Sequence, residues 1–300
     1  MVKIAYSPIY KYKLPDGHRF PMIKYELIPE QLLYEGSASE DNIFHPKKLS
    51  KEQILLTHTR EYLTKLNTLS LSKKEIRNIG FPVREDLIER GKYIAHGTLE
   101  CAYHAMQNGC ALNIAGGTHH SYADHGEGFC IFNDIAISSN ILLANKEVDK
   151  ILVVDLDVHQ GNGTAKIFEN EKRVFTFSMH GARNYPTRKE KSDLDIGVPD
   201  GTQDEVYLDQ LFKTLPRLIT DEQPDIVFYL SGVDILESDK LGRLSVSKEG
   251  CKRRDEFVFE VCKQHNIPVA VSMGGGYSPK LSDIVEAHSN TFRMALELFD

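Results

Sequence analysis

The sequence predicts a doubly wound α/β fold in which a mostly parallel central sheet carries helices on both faces. Three observations predict it: short runs that are apolar and β-branched on both faces, helical patterns lying between them, and polar residues collected where the runs end.

In chain order the strand runs are VKIAY (2–6), ALNIAG (111–116), ILVVDLD (151–157), VFTFSM (174–179), DIVFYLSG (225–232) and PVAVSMG (268–274). A strand buried on both faces has no polar side, so its sequence becomes a continuous apolar run. The helical patterns cover 86–108, 133–145, 203–220, 247–265 and 281–299, each long enough to cross over a sheet and return a parallel strand. The stretches 7–50 and 181–203 carry Pro, Gly and mixed charge and are expected to be long loops that shape access to a site. No repeat, low-complexity tract or linker divides the chain, and residues 1–300 are expected to form one domain.

Composition narrows the function classes. Hydrophobic residues make up 41% and charged ones 26%, as in an ordinary globular enzyme. A formal charge of -7, from 36 basic and 43 acidic residues without a polybasic tract, argues against a nucleic-acid surface. Met1 leads directly into VKIAYSPIY, and no apolar run approaches the ~20 residues of a membrane helix, so a cytoplasmic protein is expected. Cys101, Cys110, Cys130, Cys251 and Cys262 are odd in number and lack CxxC spacing. They are expected to be buried thiols, with Cys130, beside a chemistry-bearing motif, the candidate exception.

The strongest local signal is Asp155-Leu156-Asp157-Val158-His159 at the end of a strand run. Residues two apart leave an extended strand on one side, so a carboxylate and an imidazole are offered together. Both are zinc ligands, and a catalytic zinc takes three protein ligands and leaves a fourth position open. Asp234, after the apolar run FYLSGV, is the candidate third ligand; its alternative is a helix cap. His119 and His120 follow a Gly-Gly turn, and two adjacent imidazoles beside a metal point to proton transfer. Tyr277 follows three glycines and is either an oxyanion donor or an ordinary tyrosine on a turn.

In this order, GGTHH (116–120), GEGFCIFNDIA (126–136), DLDVHQGNGT (155–164), SGVDILESDKLG (231–242) and MGGGY (273–277) resemble the histone deacetylases of the arginase/deacetylase superfamily. The compact chain looks similar to the bacterial, class IV-like branch. The resemblance implies a three-layer sandwich and a zinc-dependent deacylase, with iron(II) as the other candidate metal. It makes Asp157, His159 and Asp234 the ligands, His120 the general base, His119 its neighbour in proton transfer or electrostatics, and Tyr277 the carbonyl polariser. Asp155 would orient His119 and Asn162 would orient His120. Gly128, Phe129 and Tyr185 would line an acyl-lysine channel. A structural potassium ion would be held by Asp155, Asp157, His159 and Ser178, and an outer one near Phe168, Glu171 and Val174.

Where the best-known members have Asp and His, this chain has Asn162 and Gln160; an amide holds an imidazole without favouring its charged form as a carboxylate would. Thr118 and Tyr185 leave channel width open. The expected substrate is an acylated lysine in a peptide or protein, with acetylpolyamines or other small acetylated amines as the alternative. A two-manganese ureohydrolase would need further carboxylates where Gln160, Val233 and Ile235 stand. A silent acyl-peptide binding module would have lost a ligand, a His or the Tyr, and none is missing. No GxSxG elbow or Cys-His pairing supports nucleophilic catalysis.

Overall fold

The computed structural model describes residues 1–300. Eight strands, β1 (Lys3–Ala5), β2 (Ile43–Phe44), β3 (Cys110–Asn113), β4 (Ile151–Asp155), β5 (Val174–Gly181), β6 (Leu194–Val198), β7 (Ile226–Leu230) and β8 (Val269–Ser272), form one sheet. Its order is β2-β1-β3-β8-β7-β4-β5-β6, and every neighbouring pair is parallel. All six predicted runs are strands, and β3, β4, β7 and β8 are buried at every residue, as continuous apolar sequence requires.

The helices are α1 (Lys24–Tyr34), α2 (Lys51–Ile54), α3 (Arg60–Asn67), α4 (Lys73–Ile79), α5 (Glu85–Asn108), α6 (Asp134–Ala144), α7 (Asn162–Phe168), α8 (Asp204–Glu222), α9 (Lys248–Gln264) and α10 (Leu281–Phe299). Helix α5 packs on α6 and α6 on α7, whereas α8 packs on α9, α9 on α10 and α10 on α1. From β2 the chain moves one way through the sheet to β6 and then returns to place β7 and β8 between β4 and β3. Right-handed crossovers in opposite directions deposit helices on opposite faces, which gives the two helical layers. That reversal also opens a crevice at the carboxyl ends of β3, β8, β7 and β4, where α/β sheets bind ligands.

Two expected loops contain structure. Within 7–50, Lys24, Tyr25, Ile28 and Leu32 recur on one buried face and form α1 despite Pro29. Within 181–203, LDIGV forms the edge strand β6, whose residues alternate between half-buried and exposed up to the buried Val198. Its run was unreadable because an edge strand is not apolar on both faces.

Candidate active site and metal centre

Asp155 ends β4 and lies opposite Leu230, the last residue of neighbouring β7. Asp157, His159 and Asp234 therefore emerge from adjacent strand ends. Asp157 and His159 are not on the strand itself, which stops at Asp155. Instead the Asp157 N–H donates to Asp155 Oδ1 (3.2 Å) and the His159 N–H to Asp157 Oδ1 (2.9 Å), two successive side-chain-to-backbone bonds that curl the segment over the sheet edge.

One ligand atom from each of Asp157, His159 and Asp234 lies within 4.8 Å of the others, and all three residues are buried. His159 Nδ1 is 3.0 Å from Asp157 Oδ1 and 3.1 Å from Asp234 Oδ2. Asp234 caps no helix: its Oδ1 accepts from the Val158 N–H at 2.9 Å, and its Oδ2 is buried without a hydrogen-bond donor. A buried, orphaned carboxylate oxygen facing an imidazole and a second carboxylate fits a divalent cation. Asp157 Oδ2 is aimed by the Gly275 N–H at 2.8 Å. Any Cβ at 275 would overlap the Asp234 and Asp157 carboxylates, so only glycine permits that approach.

The carboxylates polarise one another. Burial and the charge of Asp157 push the Asp234 carboxyl up to about 7. Burial disfavours charge on His159 as well, but the Asp157 and Asp234 carboxylates outweigh it and lift the imidazole to about 10.

The other edge of the crevice carries the two histidines. Asp134, the first residue of α6, accepts from the Thr98 hydroxyl (2.7 Å), the Gly117 and Thr118 N–H groups (3.1 and 2.8 Å) and the Ser272 hydroxyl (2.9 Å). This buried carboxylate fixes the turn that presents His119 and His120. His119 Nδ1 lies 2.7 Å from Asp155 Oδ2, and His120 Nδ1 lies 2.6 Å from Asn162 Oδ1. Burial opposes charging of both rings; the Asp155 carboxylate nonetheless raises His119, while burial and the neighbouring His119 and His159 hold His120 well below the ordinary histidine range.

Tyr277 faces His159 with ring centroids 6.3 Å apart, and its backbone N–H is held by Asp239 Oδ2 at 2.5 Å. Burial and the Asp234 and Asp157 carboxylates keep its phenol protonated far above the usual range. A cavity of about 440 Å³ leads to these groups and is lined by Gly128, Phe129, Tyr185, Leu241, Arg19 and Glu127 among others. A Cβ at Gly128 would strike the His120 ring, so glycine there lets the cavity wall touch the imidazole. Tyr185 closes the opposite side, its ring 4.9 Å from that of His120.

The histone deacetylase domain family matches residues 18–292 of this chain. The chain belongs to the histone deacetylase family. Histone deacetylase 2 of Arabidopsis thaliana is 30% identical over 296 residues, covering 95% of this chain and 76% of the relative. An uncharacterized protein of Picosynechococcus sp. is 39% identical over 296 residues, with 99% of each chain covered. The crystal structure of an HDAC homolog complexed with SAHA shares the fold, with a TM-score of 0.83 at 24% identity, covering 97% of this chain and 82% of that one. The protein described here is accordingly a deacetylase-type hydrolase.

In this deacetylase the residues predicted as ligands, proton-transfer groups and channel lining converge on one crevice, and Ser178 pairs in register with Asp155 beside it. Phe168, Glu171 and Val174 lie in one turn, where the Phe168 carbonyl accepts from the Glu171 N–H and the Glu171 carbonyl from the Val174 N–H. All five cysteines are buried and unpaired. Cys130 is no exception: burial pushes its thiol far up, and its Sγ donates to the Gly128 carbonyl at 3.3 Å. Sequence reasoning missed Asp134, Asp239, Glu127, Lys24 and Arg254. Lys24 is fully buried behind the glycine turn, donates to the Gly274 carbonyl at 3.1 Å, and is lowered by burial to about 8. Arg254, equally buried, donates to the Gly232 carbonyl at 2.5 Å and is paired with Asp255. Arg254 lies in a helical pattern, where a charged residue normally marks a solvated face, and Lys24 lies in the stretch expected to be a loop, so neither gave a signal. No helix is long and apolar enough to cross a membrane.

Proposed function

We propose that this deacetylase hydrolyses acyl groups from lysine side chains of peptides or proteins, with one divalent metal held by Asp157, His159 and Asp234. The observation that carries the reading is the orphaned Asp234 Oδ2, grouped with His159 Nδ1 and Asp157 beside a neutral His120 at the floor of the cavity. Zinc suits two carboxylates and an imidazole with an open fourth position, and iron(II) accepts the same donors. The bound metal supplies Lewis acidity, polarising the acyl carbonyl and lowering the pKa of water.

The residues of the chain divide the remaining work. The His120 Nδ1–H donates to Asn162 Oδ1, which leaves the Nε2 lone pair free to take the proton of the attacking water. His119, raised by the Asp155 carboxylate against its burial, is the group we assign to supply the proton that the departing amine needs. The Tyr277 phenol stays neutral and donates to the oxygen on which charge develops. Gly128, Phe129 and Tyr185 wall the cavity around the acyl-lysine stem and exclude water. Asp155, Asp157, His159 and Ser178, all buried, are the residues we assign to a potassium ion.

Arg19 and Arg77, both exposed at the cavity mouth, weigh against an acetylpolyamine, whose further cationic amines they would repel. The relative named as a histone deacetylase and the homolog crystallised with SAHA support an acylated substrate. The test is turnover of acetyl-lysine and longer acyl-lysine peptides against acetylspermidine, with zinc or iron(II) loaded at one equivalent. Peptide hydrolysis well above that of acetylspermidine is expected. Turnover of acetylspermidine alone, or an active enzyme with no divalent metal, would overturn the proposal.

A further inference from the structure

His119 and His120 are anchored differently. Asp155 accepts from His119 through a carboxylate, in which both oxygens are equivalent acceptors, so nothing further is needed to set the tautomer. Asn162 holds His120 through an amide, and an amide has two unlike ends. Rotated by half a turn, it would present Nδ2–H to the imidazole, drive the ring proton to Nε2 and remove the lone pair that faces the cavity.

We infer that Glu127 is the positioning residue that fixes the orientation of the Asn162 amide and through it the tautomer of His120. Asn162 Nδ2 donates to Glu127 Oε1 at 2.6 Å and to Tyr122 Oη at 3.0 Å. An ionised carboxylate only accepts, so it pairs with the Nδ2 side and not the Oδ1 side. The phenol is committed in the same sense, because the Tyr122 hydroxyl donates to Glu190 Oε1 at 3.2 Å and leaves its oxygen to accept. Glu190 is in turn clamped at its backbone by Gln160, whose Nε2 donates to the Glu190 carbonyl (2.7 Å) and whose Oε1 accepts the Glu190 N–H (2.9 Å). Glu127 is placed by a tight turn in which the Cys130 N–H donates to its carbonyl at 2.9 Å, directly before the channel residues Gly128 and Phe129. Both acceptors point at one end of the amide, and the other end meets the imidazole at 2.6 Å.

The inference rests on the reading that His120 is the base, and its test separates the two. In metal-loaded protein labelled with nitrogen-15 histidine, the His120 ring signals, assigned by their loss in His120→Ala, report which nitrogen carries the proton without any substrate. The wild type is expected to carry it on Nδ1. Glu127→Leu is expected to populate the Nε2–H tautomer and to lower kcat about tenfold or more while KM changes less than about threefold, within the range spanned by general-base catalysis. Glu127→Gln keeps an acceptor oxygen and should restore both the Nδ1–H signal and most of kcat. Tyr122→Phe, which deletes the second acceptor, should shift the tautomer in the same direction by a smaller amount, and it serves if Glu127→Leu fails to fold. An unchanged Nδ1–H signal in Glu127→Leu and Tyr122→Phe, or a Glu127→Gln variant as impaired as Glu127→Leu, would overturn the inference. A wild type that turns over no acyl-lysine would sink the proposed function and leave the tautomer result standing.

Discussion

The rings of His119 and His120 lie with centroids 4.1 Å apart, and their surroundings drive them in opposite directions. Burial resists charge on both, yet Asp155 raises His119, while His120 is held far below the ordinary range by burial and by its two imidazole neighbours. Neighbouring groups pushed apart in this way are suited to separate acid and base roles.

His120→Ala and Tyr277→Phe should therefore each lower kcat by roughly two to four orders of magnitude. Neither residue is in the ligand trio, so both variants should bind one equivalent of metal by elemental analysis. Full turnover in either variant would remove it from the mechanism.

Metal binding should be sensitive to a methyl group that alters no ligand. Gly275→Ala places a Cβ against the Asp234 and Asp157 carboxylates. Displacing both should weaken metal affinity about tenfold to a hundredfold, the cost typical of disturbing the groups that orient ligands. Titration against a competing chelator measures it, and wild-type affinity would contradict the geometry.

The mouth of the cavity offers a charge reversal. Arg19 and Arg77 are exposed there, with the Arg19 guanidinium 5.1 Å from the Phe129 ring centroid. Arg19→Glu combined with Arg77→Glu should raise kcat/KM for acetylspermidine and lower it for acetyl-lysine peptides with acidic neighbours, by about three- to tenfold at low salt. The difference should shrink as salt screens the charges. Equal effects on both substrates would show that the charges do not sort them.

Acid should destabilise the fold through a histidine remote from the ligands. His58 is 2% exposed, accepts the Asn133 N–H on Nε2 at 3.1 Å, and is lowered by burial to about 4. A folded pKa below the unfolded one means that the unfolded chain takes up the proton first. Its contribution is complete above about pH 6.5 and is lost as pH falls toward 4, by at most about 3 kcal/mol. Urea unfolding across this window should show a shallower pH slope in His58→Leu than in wild type. The same slope in both would exclude His58 as the source.

The six strand runs and five long helices were legible because each is set by its own burial: two covered faces make a run apolar, and one covered face gives a helix its period. The Asp157 and His159 pair was legible for a related reason, since their spacing is local. Helix α1 was not, because Pro29 and mixed charge hid a buried face made by packing on α10. Glu127 gives no local signal, since its partner Asn162 is 35 residues away.

What the sequence determined by itself is the stock of parts: buried parallel strands, an Asp-x-His at a strand end, paired histidines and a glycine turn ending in tyrosine. Only the tertiary structure decided what Asp234 is. Alone it could cap a helix as well as hold a metal, but β7 lies beside β4 in the sheet, with Leu230 opposite Asp155, so Asp234 Oδ1 meets the Val158 N–H and its Oδ2 is left facing His159. The same holds for the orientation of Asn162. Hydrogen-bond direction depends on which donors and acceptors the fold brings within 3 Å, and strand order sets those neighbours across sequence distances that no local pattern spans.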